Sequence, residues 1–233
     1  EYPKIKDGHG KTMVIDFSSP NIAKPLGIHH IRTTMIGNSI AKIYKKMGYK
    51  VVRLNYLGDW GTQFGKLITA YKMWGHEIKV LSVEEINNLY VRFSKLSDDN
   101  PALEEDARNW FKKLEEGNAE ALELWEKFKN ISILELKRIY KRLNVEFDVY
   151  SGESQHNKTI LKVVDEAKSK NIAEMSEGAL VVKSSDEKEP PCLLLKRDGA
   201  TTYQLRDIAA MSDRYSQYHF AKMIYVVAQD QAF

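Results

Sequence analysis

The first apolar run, Met13-Val14-Ile15-Asp16-Phe17, is short and stops at Ser18-Ser19-Pro20-Asn21, which predicts a buried strand running into a loop. Ile36, Ile40, Ile43, Tyr44 and Met47 then recur at spacings of four, three, one and three. That lays one apolar face along a helix, and Gly48 stands where a C-terminal cap belongs. Val51-Val52-Arg53-Leu54-Asn55-Tyr56, β-branched and apolar, predicts a second strand. Strand, loop, helix, strand is the order of a βαβ unit with a right-handed crossover, and it places a ligand site in the loop after the first strand.

From about Trp74 to Asn144 the periodicity becomes that of long amphipathic helices. Leu103, Ala107, Trp110, Phe111 and Leu114 share one face, Gly117-Asn118 breaks and recaps the chain, and Leu136, Ile139, Tyr140 and Leu143 share another. Aromatics at helical spacing predict helix-on-helix packing rather than a recognition surface. Asn157 is placed to cap a further helix carrying Ile160, Val164 and Ala167. Gly178–Val182 and Cys192–Lys196 read as strands around a charged, Pro-Pro-containing connection. A helix from about Leu205 to Tyr218, with Met211, Tyr215 and Tyr218 aligned, leads to Met223–Val227, which reads as a buried parallel strand. The fold class is therefore α/β, a parallel sheet interrupted by a helical insertion and a small β-rich insertion.

Composition narrows this only in part. The 233 residues are 43% hydrophobic, 10% aromatic and 29% charged, which excludes disordered, collagen-like and disulfide-scaffold chains. Thirty-five Lys and Arg against 32 Asp and Glu leave a net charge of +3, so any RNA contact has to be local. The single cysteine, Cys192, cannot form an intramolecular disulfide and suits a reducing compartment. No run approaches the roughly 18 apolar residues of a membrane helix, and no Cys/His spacing suggests zinc. The chain starts at Glu1 without Met and ends at Phe233 just after an apolar run, so both ends are expected to be cut and targeting signals are not observable in it.

The densest polar cluster runs from Ser18 to His30, between the first strand and the first helix. A helix start at the carboxyl edge of a parallel sheet offers free backbone N–H groups and a positive dipole end, both suited to phosphate. Lys24 and Arg32 would add charge there, and His30 could donate to the same phosphates. The cluster has neither the G-x-x-x-x-G-K-[ST] nor the G-x-G-x-x-G pattern. From the residues alone it is either a phosphate site or a capped turn with a solvated lysine.

Six segments, in order, carry a resemblance: I-D-F-S-S-P-N-I-A-K-P, I-G-N-S-I-A-K-I-Y, N-Y-L-G-D-W-G-T-Q-F-G-K-L (Asn55 to Leu67), V-Y-S-G-E-S-Q (Val149 to Gln155), D-G-A-T-T-Y-Q-L-R-D (Asp198 to Asp207) and D-R-Y-S-Q-Y-H-F-A-K-M-I-Y-V-V (Asp213 to Val227). Together they are similar to arginyl-tRNA synthetase, a class I aminoacyl-tRNA synthetase, and closest to its eukaryotic and fungal type. The resemblance implies an incomplete Rossmann-like catalytic domain. Its segments are 1–62, 131–152 and 197–233, with a helical insertion over 63–130 and an α/β insertion over 153–196. It implies an arginine–tRNA ligase that activates L-arginine with ATP, accompanied by Mg²⁺, and passes it to tRNA(Arg). Ser19 and Asn21 would hold the α-amino and carboxylate groups of arginine, Tyr203 and Asp207 the guanidinium, and Gln231 would close the pocket. Asp16 stands where the eukaryotic enzymes usually carry Glu. A carboxylate matches a planar guanidinium bidentately, and a site that leaves Asp207 unpaired penalises amino acids lacking that fork. Lys24 and His30 would stabilise the charge developing at the phosphates.

The class I signature H-x-G-H reads here Gly27-Ile28-His29-His30. His29 puts a ring where adenine is expected to pass and Gly27 removes a donor, although Gly27, His29, His30 and Lys24 remain the expected ATP-binding residues. Two outcomes follow: an arginine–tRNA ligase, or a non-catalytic relative that binds arginine or RNA or serves as a structural subunit of an assembly. The resemblance implies a monomer in the first case and no membrane in either, with cytoplasm and mitochondrion equally open. In the family the segment after Gln231 normally finishes the sheet, carries the second signature and leads to an anticodon-binding helix bundle, so this stretch alone is not expected to complete aminoacylation.

Overall fold

Strand β1 (Thr12–Phe17) is buried at every position from Met13 onward, as an apolar run in the middle of a sheet requires. Helix α1 (Ile28–Lys46) carries the chain to β2 (Lys50–Leu57), which pairs parallel with β1 from Thr12 opposite Lys50 to Asp16 opposite Leu54. The βαβ unit expected from the sequence is thus present. With β3 (Val149–Gly152) and β7 (Lys222–Val226) these strands form a four-stranded sheet in the order β3-β2-β1-β7. The computed structural model describes residues 7–183, 190–197 and 199–228.

Helix α1 does not bury the face its apolar spacing predicts. Its buried residues are Thr34, Gly37, Asn38 and Ala41, whereas Ile36 and Ile43 are exposed. The cause is close approach to β1: a Cβ on Gly37 would lie 2.3 Å from the Phe17 Cβ. Only small or slender side chains fit between backbone and ring, so the branched residues turn outward and only Ile40 and Tyr44 pack partly against the core. Gly48, at φ 90°, adopts the left-handed turn that ends the helix.

Between β2 and β3 lie α2 (Thr62–Trp74), α3 (Val83–Ser97), α4 (Pro101–Glu115) and α5 (Ala119–Arg142). Each start after α2 has a side-chain cap: Ser82 accepts from Glu85 N–H, Asn100 from Ala102 N–H, and Asn118 from Ala121 N–H. Helix α2 begins twelve residues before Trp74, where the helical texture was expected to start. It approaches α4 so closely that a Cβ on Gly65 would lie 2.1 Å from the Ala107 carbonyl oxygen. The aromatics pack as expected, with Phe64, Phe93 and Phe128 fully buried and Trp60 edge-on to both Phe111 and Trp125.

Two compact units divide the chain, one comprising 1–151 and 223–233, the other 152–222. The second contains α6 (Asn157–Ser169), the antiparallel sheet of β4 (Glu174–Ser176), β5 (Ala179–Val182) and β6 (Cys192–Leu195), and α7 (Tyr203–Tyr218). Its core gathers Ile160, Val164, Ala173, Leu180, Leu194, Leu205 and Ala209. The buried face of α7 is Leu205, Ala209, Ala210 and Arg214, not the aligned Met211 and Tyr215, which are exposed. Two of these four buried positions are alanines, which spacing analysis weights little. Among the described residues β7 stands at the edge of the four-stranded sheet, and Lys222 and Tyr225 are exposed where a buried strand was expected. No described helix is long and apolar enough to cross a membrane.

Candidate functional site

The chain leaves β1 in a strained loop. Ser18, Ser19 and Ala23 have φ of 75°, 44° and 70°, a region that costs a residue with a side chain roughly 1–3 kcal/mol. A buried polar network holds them there. Ser18 Oγ lies 2.7 Å from the Tyr140 hydroxyl, which accepts from Asn55 Nδ2 at 3.1 Å. Asn55 Oδ1 accepts the Ser19 N–H at 3.1 Å, and Ser19 Oγ donates to Asp16 Oδ1 at 2.8 Å. The Thr34 hydroxyl lies 2.7 Å from Ser18 Oγ and 2.6 Å from the His30 carbonyl, tying the loop to α1. Burial raises the Tyr140 pKa, against the opposite pull of its bonds to Ser18 and Asn55, so the hydroxyl stays protonated.

A second set of contacts fixes the other side of the loop. Gly58 donates its N–H to the Pro20 carbonyl at 3.1 Å and accepts from Ile22 N–H at 3.0 Å, so Asn21 lies directly against it. A Cβ on Gly58 would fall 2.1 Å from Asn21 Oδ1, so the glycine makes room for that amide. Beyond Gly58, the fully buried Asp59 carboxylate pairs with Lys129 of α5 at 2.5 Å, and the Asp59 carbonyl accepts from Trp125 Nε1 at 2.7 Å. Ala23 N–H donates to Ser132 of the same helix. The helical segment therefore clamps both loops at the carboxyl ends of β1 and β2.

These loops border a cleft of about 410 Å³ lined by Ser18, Ser19, Asn21, Lys24, His29, His30 and Thr33 on one side and Val226, Val227 and Ala228 on the other. It lies where the chain order in the sheet reverses, with β2 on one side of β1 and β7 on the other, the position at which open α/β sheets bind ligands. Gly27 caps α1, and its N–H donates to His30 Nδ1 at 3.1 Å. A neutral His30 must then carry its proton on Nε2. Burial, and after it the neighbouring His29 ring, lowers the His30 pKa. The ring centroids of His29 and His30 are 3.9 Å apart. Lys24 is exposed, with Nζ 5.4 Å from the Tyr90 ring centroid. Asp16 is buried beneath Ser19 and does not itself line the cleft.

In the second unit Tyr203 opens α7 and Asp207 follows one turn later, which puts both on one exposed stretch of helix surface. Thr202 caps this helix by accepting from Leu205 N–H. Desolvation raises the Asp207 pKa and the Arg214 charge partly offsets it, although the residue as a whole keeps substantial solvent exposure. Gln231 lies outside the described residues. Among the expected residues, then, the first unit gathers Ser19, Asn21, Lys24, Gly27, His29 and His30 around one helix start, while Tyr203 and Asp207 belong to the second. Sequence pattern alone does not single out Asn55, Gly58, Tyr140 or Lys129 for the site: Asn55, Gly58 and Asp59 lie in the Asn55–Leu67 segment without an assigned role, and Tyr140 lies on an apolar helix face.

The family of "tRNA synthetases class I (R), catalytic domain" matches residues 1–233. The arginine–tRNA ligase of Clostridium perfringens is 47% identical over 233 residues, covering 99% of this chain and 41% of the relative. Arginine–tRNA ligase 1 of Bacillus thuringiensis subsp. konkukian is 50% identical over 234 residues, covering 100% and 42%. The crystal structure of Plasmodium falciparum arginyl-tRNA synthetase superposes with a TM-score of 0.83 at 28% identity, over 97% of this chain and 38% of that one. The Thermus thermophilus arginyl-tRNA synthetase shares the fold, with a TM-score of 0.68 at 24% identity over 90% and 37%. The chain thus spans less than half the length of these relatives. Both sequence relatives are bacterial and do not support a special kinship with the eukaryotic and fungal type.

Proposed function

This chain belongs to the catalytic-domain family of class I arginyl-tRNA synthetases, and on that premise we propose that it is the amino-acid- and ATP-handling part of an arginine–tRNA ligase. In the reaction, an arginine carboxylate oxygen attacks the α-phosphorus of ATP, the bond to the pyrophosphate oxygen breaks, and arginyl-adenylate and pyrophosphate form. A terminal hydroxyl of tRNA(Arg) then attacks the arginyl carbonyl and AMP leaves. One observation carries the reading: the cleft at the start of α1 is lined by both the Ser19 and Asn21 side chains and the basic groups Lys24, His29 and His30.

Ser19 and Asn21 take the α-amino and carboxylate groups, held by the network under Ser19 and by Gly58 under Asn21. Lys24 and the Nε2–H of His30 face the charge that builds on the phosphate oxygens, where groups already in place are worth most. Tyr203 and Asp207 take the guanidinium, for which a carboxylate offers two parallel acceptors. Among the described residues no group of three or more His, Cys, Asp or Glu side chains could hold a metal. Mg²⁺ enters as the companion of the ATP phosphates, which supply its oxygen ligands. Within this proposal residues 1–62, 131–152 and 197–233 serve the catalytic domain, and 63–130 and 153–196 are its insertions.

Calorimetric titration tests the amino-acid half. L-Arginine should bind, and L-citrulline, which keeps the shape but loses the charge, should bind at least about tenfold more weakly. Equal affinity for the two would remove the carboxylate–guanidinium match from the account.

A further inference from the structure

We infer that Asp16 is a positioning residue for the α-amino group of the amino acid: its buried carboxylate takes the hydroxyl proton of Ser19, so that Ser19 Oγ meets the ligand as an acceptor and selects an ammonium. This rests on the reading of the cleft as the arginine site and adds how that site tells the two polar groups of the ligand apart. A serine can donate only from its backbone nitrogen and its hydroxyl. In Ser19 both protons are committed inside the protein, the N–H to Asn55 Oδ1 at 3.1 Å and the hydroxyl to Asp16 Oδ1 at 2.8 Å. Ser19 lines the cleft, and its hydroxyl has only lone pairs left to offer there. An α-ammonium, with three donors and no acceptor, matches them. A carboxylate in the same place would set lone pairs against lone pairs.

The backbone holds this arrangement in place. Asp16 sits in β1 opposite Leu54, is 4% exposed and does not line the cleft, so its charge reaches the ligand through the serine. The left-handed φ of Ser18 and Ser19, 75° and 44°, bends the chain so that a hydroxyl three residues on returns to the carboxylate. Ser18 does not take this part, because its Oγ lies 2.7 Å from both the Tyr140 and the Thr34 hydroxyls. A hydroxyl that donates to a carboxylate is polarised, which makes its oxygen the stronger acceptor. The negative charge behind that oxygen also favours a cation in front of it, and at this range in a poorly solvated site the attraction is only partly screened.

Calorimetry on the protein carrying this chain tests the assignment with two ligands. One is L-arginine; the other is deamino-arginine, which keeps the guanidinium and the carboxylate but has hydrogen in place of the α-amino group. Asp16→Asn keeps the shape and removes the charge. It should weaken L-arginine by about tenfold, the scale of a hydrogen bond to a charged group, and deamino-arginine by less than about threefold. Ser19→Ala should show the same preference. Adding Asp16→Asn to Ser19→Ala should cost L-arginine less than about another threefold, because the carboxylate works through the hydroxyl. A merely structural role would lower both affinities alike. Equal losses for the two ligands in Asp16→Asn would trace its effect to the guanidinium or to the fold and overturn the inference, as would single effects that multiply in the double variant. If Asp16→Asn does not fold, Ser19→Ala decides, and equal losses there overturn the inference. A starting protein that binds neither ligand removes the arginine reading and this inference with it, whereas arginine binding with losses that ignore the α-amino group removes the inference only.

Discussion

Two side chains from distant parts of the chain meet at the Tyr140 hydroxyl, Ser18 Oγ at 2.7 Å and Asn55 Nδ2 at 3.1 Å. Tyr140→Phe leaves both groups without that partner in a buried setting, which should cost about 1–3 kcal/mol in chemical denaturation. It should also weaken arginine binding, because the left-handed Ser18 and Ser19 lose their anchor; unchanged denaturation midpoint and affinity would contradict this role. The sequence placed Tyr140 on the apolar face of its helix and was right about burial. It was silent about the hydroxyl, whose partners lie 122 and 85 residues away, a pairing that periodicity does not encode. His30 supplies the pH dependence. Its pKa is lowered from 6.5 in the fold, first by burial and then by His29. Between the two values the unfolded chain binds more protons, so this contribution is fully present above 6.5 and is lost as pH falls toward the folded pKa. Urea midpoints should therefore drop on acidification through this range. In His30→Asn, whose amide oxygen can still accept from Gly27 N–H, the drop should be smaller; an identical slope would assign it to other groups.

At the scale of elements, the β1–α1–β2 order, the helical run and the strands at 179–182 and 192–195 were all legible, because each is a local pattern of spacing and breakers. The packed faces of α1 and α7 were not. Spacing analysis weights large apolar residues, whereas a helix backbone pressed against a strand or another helix selects Gly, Ala, Thr and Asn. The same principle makes Gly58 informative. A methyl group there would clash with the end of a side chain, Asn21 Oδ1, at 2.1 Å, while the nearest backbone atom, Asn21 Cα, stays at an ordinary 3.4 Å. Gly58→Ala should therefore leave thermal stability nearly unchanged while turning the Asn21 amide out of place and weakening arginine binding by about tenfold. A large fall in melting temperature with intact affinity would show that Gly58 serves the backbone rather than the amide. The candidate site was legible to the extent that its residues cluster in one loop, Ser19 to His30. Its supports, Asn55, Gly58 and the Asp59–Lys129 pair, come from β2, the turn after it and α5.

The whole chain consists of two units, each with its own core, and the residues assigned to arginine are divided between them. The basic groups assigned to ATP lie in the first unit alone, around a cleft at the carboxyl ends of β1 and β7. If these groups activate arginine, the protein carrying this chain should, with tRNA(Arg) present, exchange labelled pyrophosphate into ATP. That exchange should require L-arginine and fall by about 100-fold or more in Lys24→Ala, the scale of removing one donor from a developing oxyanion. Tight binding of arginine and ATP with no exchange under these conditions would contradict arginine activation by these groups.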